Sequence, residues 1–234
     1  MYKEDPRFET PDDVSKIWRY MSYDKFESFI VERILYFCSI DVIKKEDPFE
    51  GSYYACKLLH EVNASVAQNF VNQVNQCGPT IAVNCWHLSE YDSMAMWKIY
   101  SGKKGIAVQT TIQKLKAEFD RYPDSVWIGK ISYTDEPIDH PIGWSVDKFM
   151  SCMTKRKCYE HEKEVRALIW ETTEINRTED GSAIVPIKID SLLESVFLSP
   201  ESDDTLMESV LALLVKHGVD IKPIKSKVLT APSF

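Results

Sequence analysis

The residue types and spacing best suited to chemistry occur in Tyr159-Glu160-His161-Glu162-Lys163-Glu164-Val165-Arg166. If this segment enters a strand, the two-residue period places Glu162, Glu164 and Arg166 on one face, with successive members roughly 7 Å apart. Two carboxylates beside a guanidinium can hydrogen-bond ribose hydroxyls, stabilise a developing positive charge and hold a phosphate. The same pattern equally describes a solvated strand face paired with lysines on its neighbour, because exposed ion pairs are common.

A second group is Asn84-Cys85-Trp86-His87-Leu88-Ser89-Glu90, followed by Ser93, Met94, Trp97 and Tyr100. A strand that runs into polar residues just before a helix start is a favoured ligand position, since unpaired amides at a helix N-terminus attract anions. Trp86, Trp97 and Tyr100 offer rings for a flat ligand, although the spacing of Met94 and Trp97 is also that of core residues. His87 suits an acid, a base or a hydrogen-bond donor, and equally a satisfied structural histidine. Arg19-Tyr20 is the third candidate. A lone guanidinium is costly to bury, so Arg19 should be exposed, paired or aimed at an anionic ligand. Asp47 and Glu50 are expected to act locally, closing their loop with backbone bonds.

Periodicity indicates the elements that must position these side chains. Ile17–Tyr20 reads as a strand, and Phe26, Phe29, Ile30 and Ile34 as the apolar stripe of a helix that starts after Ser22. Residues 34–40 form a second strand running into the turn Asp47-Pro48-Phe49-Glu50-Gly51. Leu58, Val62, Val66, Phe70 and Val74 mark a helix of about five turns that ends before Gly78-Pro79. Further strands are expected at 80–85, 105–110, 126–133, 164–170, 184–189 and 195–198. Helices are expected at 92–100, 112–119 and 143–157. The closing helix carries Leu206, Val210, Leu213, Leu214 and His217 between Asp203 as cap and Gly218 as terminator. Pro223 assigns the last strand, 221–227, to a sheet edge. Short strands among helices, with no steady βαβ rhythm and no glycine-rich phosphate loop, indicate an α+β fold with a mixed, largely antiparallel sheet flanked by helices.

With 234 residues and no dividing linker, the expectation is one domain over 16–234 after a loose, charged arm over 1–15. No apolar run is long enough to span a bilayer and the start of the chain is charged, so a cytoplasmic protein with no membrane association is expected. The six cysteines are scattered without a CxxC pair, which suggests reduced thiols and no metal site. A net charge of −8 argues against a protein that coats nucleic acid. Lys148, Lys155, Arg156, Lys157, Lys163 and Arg166 form a local basic stretch that could meet phosphates.

The segments WRYMS (18–22), DPFEG (47–51), NCWHLSEYDSMAMWKIYS (84–101), YEHEKEVRALI (159–169) and LSP (198–200), with the closing helix and the serine of IKS (224–226), resemble the bacterial family called domain of unknown function 2971. The likeness spans Trp18 to Leu229. Some members look like parts of abortive-infection or phage-defence loci. The order of parts is also similar to that of ADP-ribosyltransferases, in which an early arginine or histidine and a late glutamate embrace NAD. That resemblance implies NAD as substrate, with Glu164 on the nicotinamide ribose, Glu162 orienting a protein or nucleic-acid acceptor, and Arg19 on the phosphates. Tyr20 or Trp86 would stack on the rings, His87 and Arg166 would line the site, and Ser39 would stand loosely for the Ser-Thr-Ser stretch of that group. Two other readings stay open. One is a non-catalytic sensor that binds a nucleotide or a protein segment in a defence system. The other is a metal-dependent nuclease or nucleotide hydrolase using His161, Glu162 and Glu164.

Overall fold

The computed structural model describes residues 1–52, 60–77, 81–136, 148–170 and 177–230, with the side chains of 70, 73–77 and 148 excepted. The described strands are β1 (Lys16–Ser22), β2 (Ile34–Ser39), β3 (Ile81–Leu88), β4 (Gly105–Thr111), β5 (Val126–Lys130), β6 (Ser132–Tyr133), β7 (Thr154–Lys155), β8 (Glu164–Trp170), β9 (Ala183–Pro186), β10 (Ser195–Leu198) and β11 (Ile224–Lys225). Helices stand among them, and strand pairing is mixed but mostly antiparallel, with β6 and β7 forming a separate parallel pair. The fold class is therefore α+β, as the alternation of short strands and helices in the sequence requires. Backbone contacts divide the chain into two compact units.

One unit comprises Met1–Thr10, Tyr36–Cys85 and Pro123–Val185. Here β5 pairs antiparallel with β8 from Val126↔Ile169 to Lys130↔Val165, and β2 pairs with β3 at Cys38↔Val83. Phe8, Ile81, Val83, Phe149, Met153 and Leu168 make its apolar core. The first ten residues run along β5. Lys3 N–H donates to the Val126 carbonyl at 2.9 Å, Val126 N–H donates back to Met1 at 3.0 Å, and the Thr10 hydroxyl donates to Ile128 at 2.7 Å.

Several elements differ from expectation in this unit. The 126–133 strand is interrupted at Ile131, which leaves β5 and β6 as separate elements. Of the helix expected over 143–157, Lys148–Ser151 is helical and Thr154–Lys155 is strand; residues 143–147 fall outside the described ones. The helix Ala64–Cys77 begins after Asn63, whose side chain accepts from Ser65 N–H at 2.8 Å. Val62 and Val66 are exposed, so their four-residue spacing does not mark a buried face, and Leu58 lies outside the described residues.

The other unit comprises Pro11–Leu35, Trp86–Tyr122 and Pro186–Phe234. β1 lies between β4, in register from Lys16↔Thr111 to Ser22↔Gly105, and the end of β3, at Trp18↔His87. β10 pairs antiparallel with β4 and parallel with β11. β11 has no second partner among the described residues, the edge position that Pro223 calls for. Trp18, Tyr20, Met96, Trp97 and Ala107 form a buried cluster.

The helix Tyr23–Glu32 buries Phe26, Phe29 and Ile30, but Arg33 adopts the left-handed conformation (φ 55°), so Ile34 opens β2 instead of extending the stripe. The strand expected over 184–189 stops at Pro186, and Ile189 begins the short helix Ile189–Leu192. The helix Met94–Tyr100 is capped by Ser93, whose side chain accepts from Met96 N–H. In the closing helix, Asp204–Lys216, the inward residues are Leu206, Val210, Leu213 and Leu214. No described helix is long and apolar enough to cross a membrane.

Asp203 caps that helix by accepting from Leu206 N–H at 2.9 Å. Replacing a capping carboxylate removes the acceptor for an amide that has no partner inside the helix. Asp203→Ala should therefore lower stability by about 1 kcal/mol, read as an earlier urea midpoint with an unchanged slope.

Candidate functional site

The strongest concentration of charge in the interior is built by three stretches of the first unit. The first is the loop over residues 47–51. Asp47 accepts from Phe49 N–H through its side chain and from Glu50 N–H through its carbonyl, both at 3.0 Å, which closes a tight turn. Gly51 then takes φ +59°, where an added Cβ would lie 2.6 Å from Ile40 Cγ2, so only glycine fits this backbone. The turn sends the Glu50 side chain inward, to 3 % exposure.

The second stretch is β7 with the 3₁₀ helix Lys157–Glu162, and the third is β8. Lys163 joins them in a left-handed turn (φ 41°). This corrects the expectation that Glu162, Glu164 and Arg166 share one strand face. The two-residue period holds for Glu164 and Arg166, whereas Glu162 reaches the same place from the end of a helix.

Arg166, 1 % exposed, is the centre. Its Nε donates to Glu164 Oε1 at 2.7 Å and its Nη2 to Glu164 Oε2 at 3.1 Å. Nη1 and Nη2 also donate to the two oxygens of Glu50, each at 3.1 Å, and Nη1 donates to the Cys152 carbonyl. All five guanidinium N–H donors thus have acceptors. Lys155, on β7, completes the group. Its Nζ lies 2.6 Å from Glu162 Oε2, 2.8 Å from Glu164 Oε2 and 3.2 Å from Glu50 Oε1. Three ammonium donors face three carboxylates.

The protonation states follow from this geometry. Burial pushes the Glu164 carboxyl upward, but Arg166 and Lys155 together outweigh it and hold the group at about 2. Burial opposes the charge on Lys155, and Glu164, Glu50 and Glu162 overcome it, so Lys155 lies above its ordinary value. Arg166 is likewise raised by Glu164 and Glu50 against burial. Cys85, on β3, is pushed far up by burial and then by the Glu164 charge. It is a neutral thiol and not a nucleophile. Tyr133 accepts from Glu164 N–H at 2.8 Å, and burial raises its phenol to about 12.

Of the residues singled out in the sequence, Glu162, Glu164, Arg166 and Ser39 belong to this unit. Ser39 is buried at the end of β2, where its hydroxyl accepts from Asp41 N–H at 3.2 Å and its own amide donates to Ser182 at 3.0 Å. Arg19, Tyr20, Trp86 and His87 belong to the other unit. There Trp86 is 2 % exposed, Tyr20 packs edge-on against Trp97 at 4.9 Å, and the Tyr20 hydroxyl accepts from Ser93 N–H at 2.7 Å. His87 is buried with its ring 6.1 Å from that of Tyr20, and Arg19 is half-buried on β1 opposite Val108. These side chains sit as packed members of their own sheet. Among the described residues no three His, Cys, Asp or Glu side chains gather as a set that could hold a metal ion.

Sequence reasoning missed Glu50 and Lys155. Glu50 looked like a turn residue and Lys155 like one cation in a basic run; only tertiary structure brings them to Arg166. Comparison with protein-family models, curated proteins and solved structures returned no match for this chain.

Because Glu164 is held at about 2 against an ordinary 4.5, its contribution to stability is complete above 4.5 and is lost as pH falls from there toward 2. At about 1.4 kcal/mol for each tenfold change in proton affinity, that contribution is on the order of 3 kcal/mol. Glu164→Gln should reduce unfolding free energy at pH 7 by about this amount and flatten its decline between pH 5 and pH 2. Urea titrations of parent and variant across that range test it, and parallel acid limbs in the two proteins would contradict the ion-pair assignment.

Proposed function

We propose that this chain is a binding module for a small nucleotide, with NAD the first candidate, and that it holds the ligand without cleaving it. The observation that supports this over an ADP-ribosyltransferase is the occupancy of Glu164. Glu164 accepts from Arg166 Nε on one oxygen and from Arg166 Nη2 on the other, where Lys155 Nζ also lies 2.8 Å away, so each oxygen already faces a buried cation. A glutamate that steadies a nicotinamide-ribose transition state must turn an oxygen to the sugar. Here that means taking a partner from a buried cation. The nucleotide class rests on the sequence resemblance, which also suggests a sensor role in a bacterial defence system.

The transferase remains the second reading, because Glu162 and Glu164 do converge, with one ammonium between them at 2.6 and 2.8 Å. In that case Lys155 must withdraw when NAD enters. Activity through a divalent ion is the third.

One set of incubations separates the readings. Purified protein with a hundredfold excess of NAD over its dissociation constant should gain about 2.7 kcal/mol, a melting temperature higher by several degrees, and release no nicotinamide. Nicotinamide released by the parent and not by Glu164→Gln would establish the transferase instead. Turnover abolished by a chelator would establish the metal-dependent reading.

A further inference from the structure

On the surface above the ion cluster, Arg156 stands between two rings. Its guanidinium carbon is 5.3 Å from the centroid of Phe49 and 5.9 Å from that of Tyr159. Lys155 Nζ is 5.2 Å from the Tyr159 ring, so the stack is continuous with the buried cations. Arg156 is 45 % exposed, Phe49 and Tyr159 are half-buried, and Lys157 and Lys163 beside them are exposed. In a chain of net charge −8, this rim gathers three cations around aromatic faces.

The opposing charges include Asp47, 3.7 Å from Arg156, Asp135, which accepts from Lys157 N–H at 3.1 Å, and the exposed Glu160. Asp47 is beyond hydrogen-bond distance of the guanidinium. With Tyr159 as the other partner, no more than two of the five N–H donors of Arg156 are engaged among the described residues. A planar fork with unused donors, flanked by rings, matches a phosphate carried on a flat base.

We infer that Arg156 takes the phosphate, and the Phe49 and Tyr159 rings that flank it the base, of the nucleotide this chain binds. The inference rests on the nucleotide-binding reading above and gives it a location. Recognition then lies at an exposed rim, while Glu50, Lys155, Glu162, Glu164 and Arg166 hold the floor in place. Asp47 fixes the loop that carries Phe49, so ring and guanidinium are preset before the ligand arrives.

The test is titration of NAD, ADP and inorganic pyrophosphate into the parent protein and into Arg156→Gln, Arg156→Lys and Phe49→Leu, with melting temperatures recorded without ligand. Arg156→Gln should weaken all three probes by about ten- to a hundredfold, the value of one charged hydrogen-bonding pair. Arg156→Lys should restore part of the pyrophosphate affinity, since it keeps the charge and loses the fork. Phe49→Leu should weaken NAD and ADP by about tenfold and leave pyrophosphate unchanged, because only the base stacks. Unchanged affinities in the variants, with binding intact in the parent, would overturn this location and leave nucleotide binding standing. A lower melting temperature with unchanged affinity would reduce Arg156 to a clasp for the 47–51 loop. No binding by the parent would overturn both proposals.

Discussion

A guanidinium with 1 % exposure cannot be tolerated alone, and the demand of Arg166 for acceptors organises the first unit. Glu164 is supplied by the strand itself, two residues back. Glu50 must come from 116 residues away, and the Cys152 carbonyl from the turn that follows the Lys148–Ser151 helix. The loop over 47–51, β8 and the approach to β7 are therefore fixed relative to one another by the geometry of one side chain. Such a network adds little to net stability compared with apolar packing of the same volume. What it supplies is specificity, because a displaced partner leaves an uncompensated charge inside the protein.

Lys155 extends the same logic. Its three donors join three carboxylates that would otherwise repel one another across a few ångströms, and against the cost of burial Arg166 and Lys155 hold the Glu164 carboxyl below its ordinary range. The cluster contains three acids and two bases, and each acid faces at least one of the bases. Cys85 and Tyr133 at its margin are driven in the opposite direction, toward their neutral forms, by burial and by those carboxylates. A buried network of this kind, with Glu164 lowered and Lys155 and Arg166 raised, suits a rigid floor better than an acid–base device.

How much of this could be read from the residues depends on the distance over which each signal acts. Strands such as β1, β4, β8 and β10 and the helices Ile112–Phe119 and Asp204–Lys216 are marked by their own periodicity and caps, and local spacing is enough to identify them. The α+β class follows from their order. Glu164 and Arg166 were legible for the same reason, being two apart on one strand. Glu162 was misassigned because the left-handed Lys163 breaks the period between it and Glu164, and a positive φ at a lysine has no sequence signature. Glu50 and Lys155 were not legible at all. Each had an adequate local explanation, in a turn and in a basic run, and nothing in the order of residues says that a loop acid meets a strand arginine. Trp86 and Trp97 looked equally suited to a ligand and to a core; burial at 2 % exposure places both rings inside.

The occupancy of the cluster bears on what kind of work the chain can do. A carboxylate that reacts with, or closely solvates, a sugar must have an acceptor site to offer. Freeing one on Glu164 means removing a bond from Arg166 or Lys155 while that cation stays buried. The loss of a partner from a buried charge is about 3–5 kcal/mol, comparable with or larger than the about 3–4 kcal/mol that one preorganised group contributes to a transition state. Catalysis through Glu164 would thus spend on disassembly what it gains in rate, unless the ligand brings its own replacement for the broken contact. A phosphate or a ring meeting Arg156 at the rim faces no such exchange, since that guanidinium is 45 % exposed and its ion-pair partner among the described residues, Asp47, lies 3.7 Å away. Binding at the surface over a locked interior is the use of these residues that leaves every buried charge with its partner.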